Sequence, residues 1–400
     1  MRKTVFCRWP RVVTVAAGTL LLSCSDSNDV GQPSPEPMSV DQLSAVEDLR
    51  IDGNASDLVQ IHGVAVAPDG TIALLQSQDH LVRFFSSSGD PLRSIGREGE
   101  GPGEFRRPLS LGWVGDSLTV YDNQLERFTI LDPRGGFGRT IRASPRPRPG
   151  PGVEEFPALM FARVMRLRSE GGILALVMSQ PMPPTASGAR RTLFVRMDEQ
   201  GLLQKVIAQV DEERPGVSIS SGNRVSGTGF PFPNVPLYHL AADGSRFVVV
   251  KAAVDGVYAG TYLVTAIRAE GDTVFSRRYP FDVVEISKKY ADSVIKAEAE
   301  FMEKGSPRLA AAFRRKAELP PMRPPVLSVL NGRDGTIWLQ LYQSSPGLHY
   351  LMLDADGTPL AKISLPSRIR VRVADREHVW ATVSGEYGVQ SLVRYRIDPR

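Results

Sequence analysis

The chain has 400 residues, of which 42% are hydrophobic and 23% charged, with a formal net charge of +4. That apolar fraction supports a sizeable core, and the charge gives no support for nucleic-acid binding. Arg2, Lys3, Arg8 and Arg11 fall in the first 23 residues, which hold no acid, and beyond them basic and acidic residues balance at 44 each.

The four basic residues form a positive leader, followed by an apolar run from Val12 to Leu22. About eleven residues are too few for a membrane span, which needs about 20, and suit a signal peptide over residues 1–23. The leader ends Leu21-Leu22-Ser23-Cys24, which resembles the lipobox of bacterial lipoproteins. The resemblance implies cleavage before Cys24 and lipidation of its thiol, and Ser25 in place of Asp implies sorting to the outer membrane. Ordinary secretion with cleavage nearby is the other reading. The only other cysteine, Cys7, lies in the leader, so no disulfide is expected within the mature chain. Residues 24–40 carry Ser, Asp, Asn, Gly and Pro with almost nothing apolar. This reads as a flexible tether.

From there a turn followed by a β-rich run recurs. Asp69-Gly70, Gly115-Asp116, Gly171-Gly172, Asp243-Gly244, Asp334-Gly335 and Asp375-Arg376-Glu377 each precede such a run. A second turn follows in most units, as at Ser88-Gly89-Asp90 and Asp354-Ala355-Asp356-Gly357. Each unit therefore reads as a four-stranded meander, the blade of a propeller. The last unit has only about three strands, and Val46 to Ile51 precedes the first unit with no blade of its own. The expected fold is all-β: a six-bladed β-propeller over residues 41–400, its ring closed by the N-terminal strand. Five or seven blades are the other counts the spacing admits.

Between the first two units lies Gly96 to Phe105, too rich in Gly and Pro to belong to either. Its Gly99-x-Gly101-Pro102-Gly103-Glu104-Phe105 after a blade resembles NHL-repeat propellers, and more closely the six-bladed propeller lipoproteins of environmental bacteria. The resemblance covers about residues 46–397 and implies fold and export. It transfers no reaction.

Three insertions interrupt the repeats. Residues 139–157 carry Arg142, Arg146 and Arg148 among prolines, either a rim for an anionic group or a solvated connection held open by like charges. Residues 211–236 end in Phe230-Pro231-Phe232-Pro233, two aromatic rings fit to stack on a ligand or to pack beneath a lid. Residues 281–325 read as a helical hairpin. Asp282 and Ser287 compete as N-cap, and Tyr290, Val294, Ala297 and Phe301 share one face. Ser306-Pro307 opens the second helix. The hairpin is expected to lie across a propeller face, as a lid over the channel mouth or as a cap on a patch, with Arg314, Arg315 and Lys316 on its wet side.

Five histidines are present, none in an HxH or HExxH spacing, and no Ser sits in a Gly-x-Ser-x-Gly setting. His62 and His239 stand near the starts of inner strands in units one and four and are expected to face each other across the channel. Trp338 and Trp380 are expected in the core. No catalytic residue, metal or cofactor is expected.

The expected function is a non-catalytic binding or scaffolding module, monomeric and lipid-anchored through Cys24 at the bacterial cell envelope, facing periplasm or surface. Its partner would be an envelope protein or glycan, with His62, His239, Arg146, Arg148, Phe230 and Phe232 as ligand-binding candidates. The alternative is a lyase or lactone hydrolase acting at the channel with a divalent metal.

Overall fold

The computed structural model describes residues 40–132, 136–151, 159–179, 190–212, 215–221, 224–252 and 260–398. All belong to one compact unit, Pro33–Arg400. The leader and Cys24 lie outside the described residues, as does all of the tether except Val40.

The repeats fold as antiparallel meanders in a propeller-like arrangement. After β1 (Asp41–Ile51), the first unit is β2 (Gly63–Val66), β3 (Ile72–Gln76), β4 (Leu81–Phe85) and β5 (Pro91–Ile95). The second is β6 (Pro108–Val114), β7 (Ser117–Asp122), β8 (Arg127–Asp132) and β9 (Gly136–Arg142). The third is β10 (Leu159–Leu167), β11 (Ile173–Ser179), β12 (Arg190–Met197) and β13 (Leu203–Glu212), followed by an inserted hairpin of β14 (Gly216–Ser221) and β15 (Arg224–Gly229). The fourth is β16 (Leu237–Leu240), β17 (Arg246–Ala252), β18 (Thr261–Arg268) and β19 (Thr273–Pro280). These four units are separate four-stranded sheets, each with its strands in chain order.

The rest forms one eight-stranded sheet. It contains β20 (Val326–Asn331), β21 (Ile337–Leu341), β22 (Leu348–Leu353) and β23 (Pro359–Leu365), then β24 (Ile369–Ala374), β25 (His378–Ser384) and β26 (Gln390–Asp398). The two runs meet at β1, which lies between β23 and β26. From Ser44 to Ile51 it pairs antiparallel with β26, and from Asp41 to Leu43 it runs parallel to β23. The segment expected to supply a missing strand thus pairs beside the last three.

The turns explain why the units repeat. Gly335 N–H donates to Gly332 O at 3.1 Å, and Gly332 N–H reaches across to Thr336 O at 2.7 Å. Gly335 has φ +92°, a left-handed conformation that the tight hairpin requires and that a Cβ disfavours. Asp334 Oδ1 accepts from the Thr336 amide and hydroxyl. The Asp-Gly pairs at 69–70 and 243–244 make the same turn, with Gly70 and Gly244 donating to Ala67 and Ala241.

Buried side chains bond each unit to the next. Leu75 and Phe84 pack with Leu118 and Val120; Tyr121 and Phe128 pack with Ile173 and Val195. Phe194 stacks on Phe247 at 3.9 Å. Val248 and Tyr262 pack with Ile337 and Leu339, and Trp338 with Val379 and Tyr395. A further cluster joins Trp380 and Leu392 back to Ile72 and Leu74 of the first unit. Trp338 and Trp380 are both buried, as their sequence setting predicts. The Gly96–Phe105 link closes on itself: Phe105 is buried in the first of these clusters, and Arg127 binds the carbonyls of Glu100, Gly101 and Glu104 at 2.7–2.9 Å.

The helical hairpin forms as α1 (Lys288–Glu303) and α2 (Pro307–Lys316). Ser287, rather than Asp282, caps α1, its hydroxyl accepting from Tyr290 N–H at 3.3 Å. The apolar face differs from the one the spacing suggests. Ala299 is buried with Ile295 and Met302 beside it, while Phe301 is 74% exposed. The reason is the partner surface. α1 packs on α2, which in turn packs on β14 of the inserted hairpin, and the Ile295–Ala299–Met302 stripe joins the cluster of Val217, Ile219, Leu309, Ala312 and Phe313. The wet side is as expected: Arg314 pairs at the surface with Glu303 at 2.7 Å.

Candidate functional site

In a four-stranded antiparallel meander the last strand ends where the first began. The connections between units therefore gather at the end where β2, β6, β10, β16, β20 and β24 start. These first strands neighbour one another: β2 lies against β6 and β24, and β20 against β16 and β24. In a propeller-like arrangement such first strands surround the central axis, here called the channel. Its starting end receives the long connections, including residues 213–236 and 281–325. Leu109 of β6, Met160 and Phe161 of β10 and Leu327 of β20, all within the first three residues of their strands, are each at least 44% exposed. Four exposed apolar side chains thus stand at that end.

The aromatic candidates sit at this end, against the helical insertion. Phe230 meets Phe313 edge-on at 5.7 Å. Phe232 lies 6.3 Å from Tyr290. The Arg323 guanidinium is 4.6 Å from each of three rings, Phe232, Tyr290 and Tyr342. A charged group facing three π systems ties the 230–236 loop, α1 and the connection after β21 together. A short stem completes the attachment, with Ile286 N–H donating to Pro321 O and Arg323 N–H to Val284 O.

Arg146 and Arg148 are placed elsewhere. Arg146 is open to solvent and lies 3.6 Å from Glu126. The Arg148 backbone pairs with Gly201 and Leu203 at the turn between β12 and β13, and its side chain reaches Gln200 O at 3.3 Å. They share no contact with Phe230 or Phe232.

His62 and His239 occupy different depths. His62 immediately precedes β2, whereas His239 is the third of the four residues of β16. The His62 Nδ1 accepts from Ser77 N–H at 3.2 Å. The His239 Nδ1 accepts from Asn331 N–H at 3.1 Å, and Asn331 Nδ2 donates to His239 O at 2.7 Å. That bond assigns the proton of the neutral ring to Nε2. Burial, reinforced by the nearby Arg166 charge, pulls the His239 pKa down to about 4, so the ring is neutral at pH 7.

Two channel residues that the sequence reading passed over complete this region. Arg166, in β10, donates from Nη1 to Met165 O at 3.0 Å, while its Nε is buried without a partner. Part of the side chain still meets solvent. Burial pulls its pKa down to about 10, which leaves it charged at neutral pH. Arg372, in β24, is fully employed, donating to Ile61 O, His62 O and Thr382 Oγ1 at 2.9–3.5 Å. Both fall in apolar strand runs, where an isolated Arg reads as one solvent-facing position of an alternating pattern. The signal that finds them is their place on a first strand, which needs the unit boundaries first. Among the described residues no group of three or more His, Cys, Asp or Glu is placed to hold a metal ion.

No family model matches the chain, and no curated protein matches its sequence. Among solved structures, it is similar to a member of the DUF4221 family from Bacteroides vulgatus, at 9% identity and TM-score 0.43 over 90% of this chain and 99% of that one. It is also similar to a virginiamycin B lyase from Staphylococcus aureus, at 10% identity and TM-score 0.37 over 88% and 98%. A third is the calcium-binding protein regucalcin from Agrobacterium tumefaciens, at 10% identity and TM-score 0.34 over 90% and 98%.

Proposed function

We propose that this chain is a lipid-anchored, six-bladed propeller of the NHL-like lipoprotein type, and that it serves as a non-catalytic binding module at the bacterial cell envelope. Cys24 carries the lipid, residues 24–40 are the tether, and the monomeric body faces periplasm or surface. A count of six rests on dividing the eight-stranded sheet at β1, which makes β20–β23 one blade and β24, β25, β26 and β1 the last. Closure by β1 is supported by its seven-pair antiparallel register with β26, which covers an edge that strand would otherwise leave open.

The observation that carries the binding reading is the apolar rim. Leu109, Met160, Phe161 and Leu327 stand exposed near the starts of three first strands, at the end that receives both structured insertions, and exposed apolar side chains gathered at one end of a fold suit an interaction site. The partner is an envelope protein or glycan. The alternative, a lyase or lactone hydrolase using a channel metal, is disfavoured at His239. Its Nδ1 is occupied by Asn331 N–H, so its Nε2 carries a proton and donates. Ligation through either nitrogen would first break that bond.

A photo-crosslinking residue placed at Leu109, Phe161 or Leu327 in living cells tests the reading, with one at Arg376 on the opposite face as control. A discrete adduct from the rim positions and none from Arg376 is expected. Equal labelling from both faces, or none from the rim, overturns it.

A further inference from the structure

At the far end of the channel, away from the insertions, polar side chains from three different units come near one another: His239 bonds Asn331, and Arg166 lies against Gly244, in the turn that follows β16, close enough for its charge to act on His239. Arg166 is the next-to-last residue of β10, His239 the next-to-last of β16, and Asn331 the last of β20. Each leaves a hydrogen-bonding group unused. Arg166 Nε is buried and unpartnered, and so is Asn331 Oδ1. The Asn331 orientation is fixed, because its Nδ2 is spent on His239 O. His239 Nδ1 is spent on Asn331 N–H, which directs its Nε2–H outward as a donor.

Most other enclosed arginines are answered, Arg196, whose Nε is likewise buried without a partner, being an exception. Arg333 is answered by Asp375 at 2.6 Å, Arg394 by Asp48 at 2.9 Å, and Arg168 by Glu170 and Glu270. Arg372 spends its donors on two carbonyls and a hydroxyl. Unlike Arg333, Arg394, Arg168 and Arg372, Arg166 has neither a carboxylate nor a full set of acceptors among the described residues. A guanidinium held among protein atoms without a counter-charge is costly, and an anion supplied from outside removes that cost.

We infer that the Arg166–His239–Asn331 cluster is a binding site for a small oxyanion that also carries a hydroxyl. Two donors, Arg166 and His239 Nε2–H, meet the charged oxygens. The Asn331 Oδ1 acceptor meets the hydroxyl. Monohydrogen phosphate and a small hydroxycarboxylate both have this pattern. Sulfate has the charge but no proton to offer Asn331. The site lies at the opposite end of the channel from the apolar rim, and its occupancy does not depend on a partner at that rim.

The test is thermal melting of the full chain in detergent at pH 7, titrated separately with inorganic phosphate, malate and sulfate. Binding to the folded state raises the melting temperature saturably. The expected result is a saturable rise with phosphate or malate, at least several-fold weaker with sulfate, and its loss in Arg166→Met. Which of the two probes acts identifies the source as phosphate or carboxylate. Arg166→Lys keeps the charge but loses the planar fork, and is expected to weaken the response by about tenfold; it serves should Arg166→Met not fold. Surface Arg146→Met is expected to respond as the parent does. The inference is overturned if neither probe gives a saturable rise, or if the rise survives undiminished in both Arg166 variants. Either result leaves the crosslinking outcome at the rim unaffected.

Discussion

The two ends of the channel are built on different rules. At the far end, short turns recur, three of them Asp-Gly at 69–70, 243–244 and 334–335, and His239 and Asn331 of neighbouring first strands are joined by defined bonds. At the starting end, the connections differ from unit to unit, apolar side chains stand in solvent, and a helical hairpin is attached through a stem and one caged arginine. The far end is fixed by backbone stereochemistry and tolerates little. The starting end is free to vary in sequence and length, which is where a scaffold of repeated units carries what distinguishes it from others.

The first way to sharpen this contrast is pH, because the far end holds the neutral histidine. His239 has its pKa lowered from 6.5 to about 4, with Arg166 and Asn331 as the groups facing it. Below pH 6.5 the unfolded chain takes up a proton that the folded chain refuses, so stability is full above that value and falls with decreasing pH through the window down to about 4. A shift of that size corresponds to at most about 3 kcal/mol. Denaturant melts of the full chain at pH 7 and pH 4.5, compared with His239→Gln, measure it. The parent should lose more stability across the window than the variant. Equal losses would mean that the ring is solvated and that the far end is not the dry, ordered region described above.

A second prediction sets one substitution against itself at the two ends. Gly335 has φ +92°, and the nearest foreign atom lies 3.7 Å from a would-be Cβ, an ordinary contact, so an added Cβ meets conformational strain and no clash. Gly335→Val is expected to cost about 1–2 kcal/mol, the penalty of a left-handed residue with a Cβ. Gly305, between the helices of the insertion, has no positive φ and nothing within 4 Å. Gly305→Val is expected to change stability by no more than about 0.5 kcal/mol. Chemical denaturation of the two variants checks both, and equal costs would erase the distinction between the ends.

The same asymmetry governs what was legible in the sequence. Strand-turn units were readable because each Asp-Gly turn states its own geometry locally, and the pairing of Val46 to Ile51 beside the last three strands was readable from counting strands in the last unit. The helical hairpin was readable from its caps and breakers, and both buried tryptophans from their setting in apolar runs. The buried face of α1 was not. Its sequence offers two apolar stripes, and only contact with Val217 and Phe313 decides between them. Nor was the far-end cluster readable. Arg166, His239 and Asn331 stand 73 and 92 residues apart in succession, and nothing local marks them as neighbours. The depth of a histidine along its strand was also beyond pattern reading, because one residue of register moves a side chain by about 3.3 Å along the channel.

The smallest global effect is expected at the clamp. Arg323 faces Phe232, Tyr290 and Tyr342 at 4.6 Å each, and no carboxylate pairs with it among the described residues. Its removal in Arg323→Ala should therefore cost about 1 kcal/mol, the scale of a partly exposed cation–π contact. The loss should also be local. The core clusters that bind unit to unit contain none of these four residues, so the melting temperature should hardly move. Hydrogen exchange should instead accelerate in α1 and α2, whose amides report the opening of the hairpin from its base. Faster exchange spreading into β20 and β21 would show that the insertion is part of the body's cooperative unit. Unchanged exchange in α1 would show that the stem and the packing on β14 hold it without the arginine. Confined acceleration is the outcome that separates a fixed scaffold from a movable attachment, and it would mark the starting end as the place where binding and hairpin position are coupled.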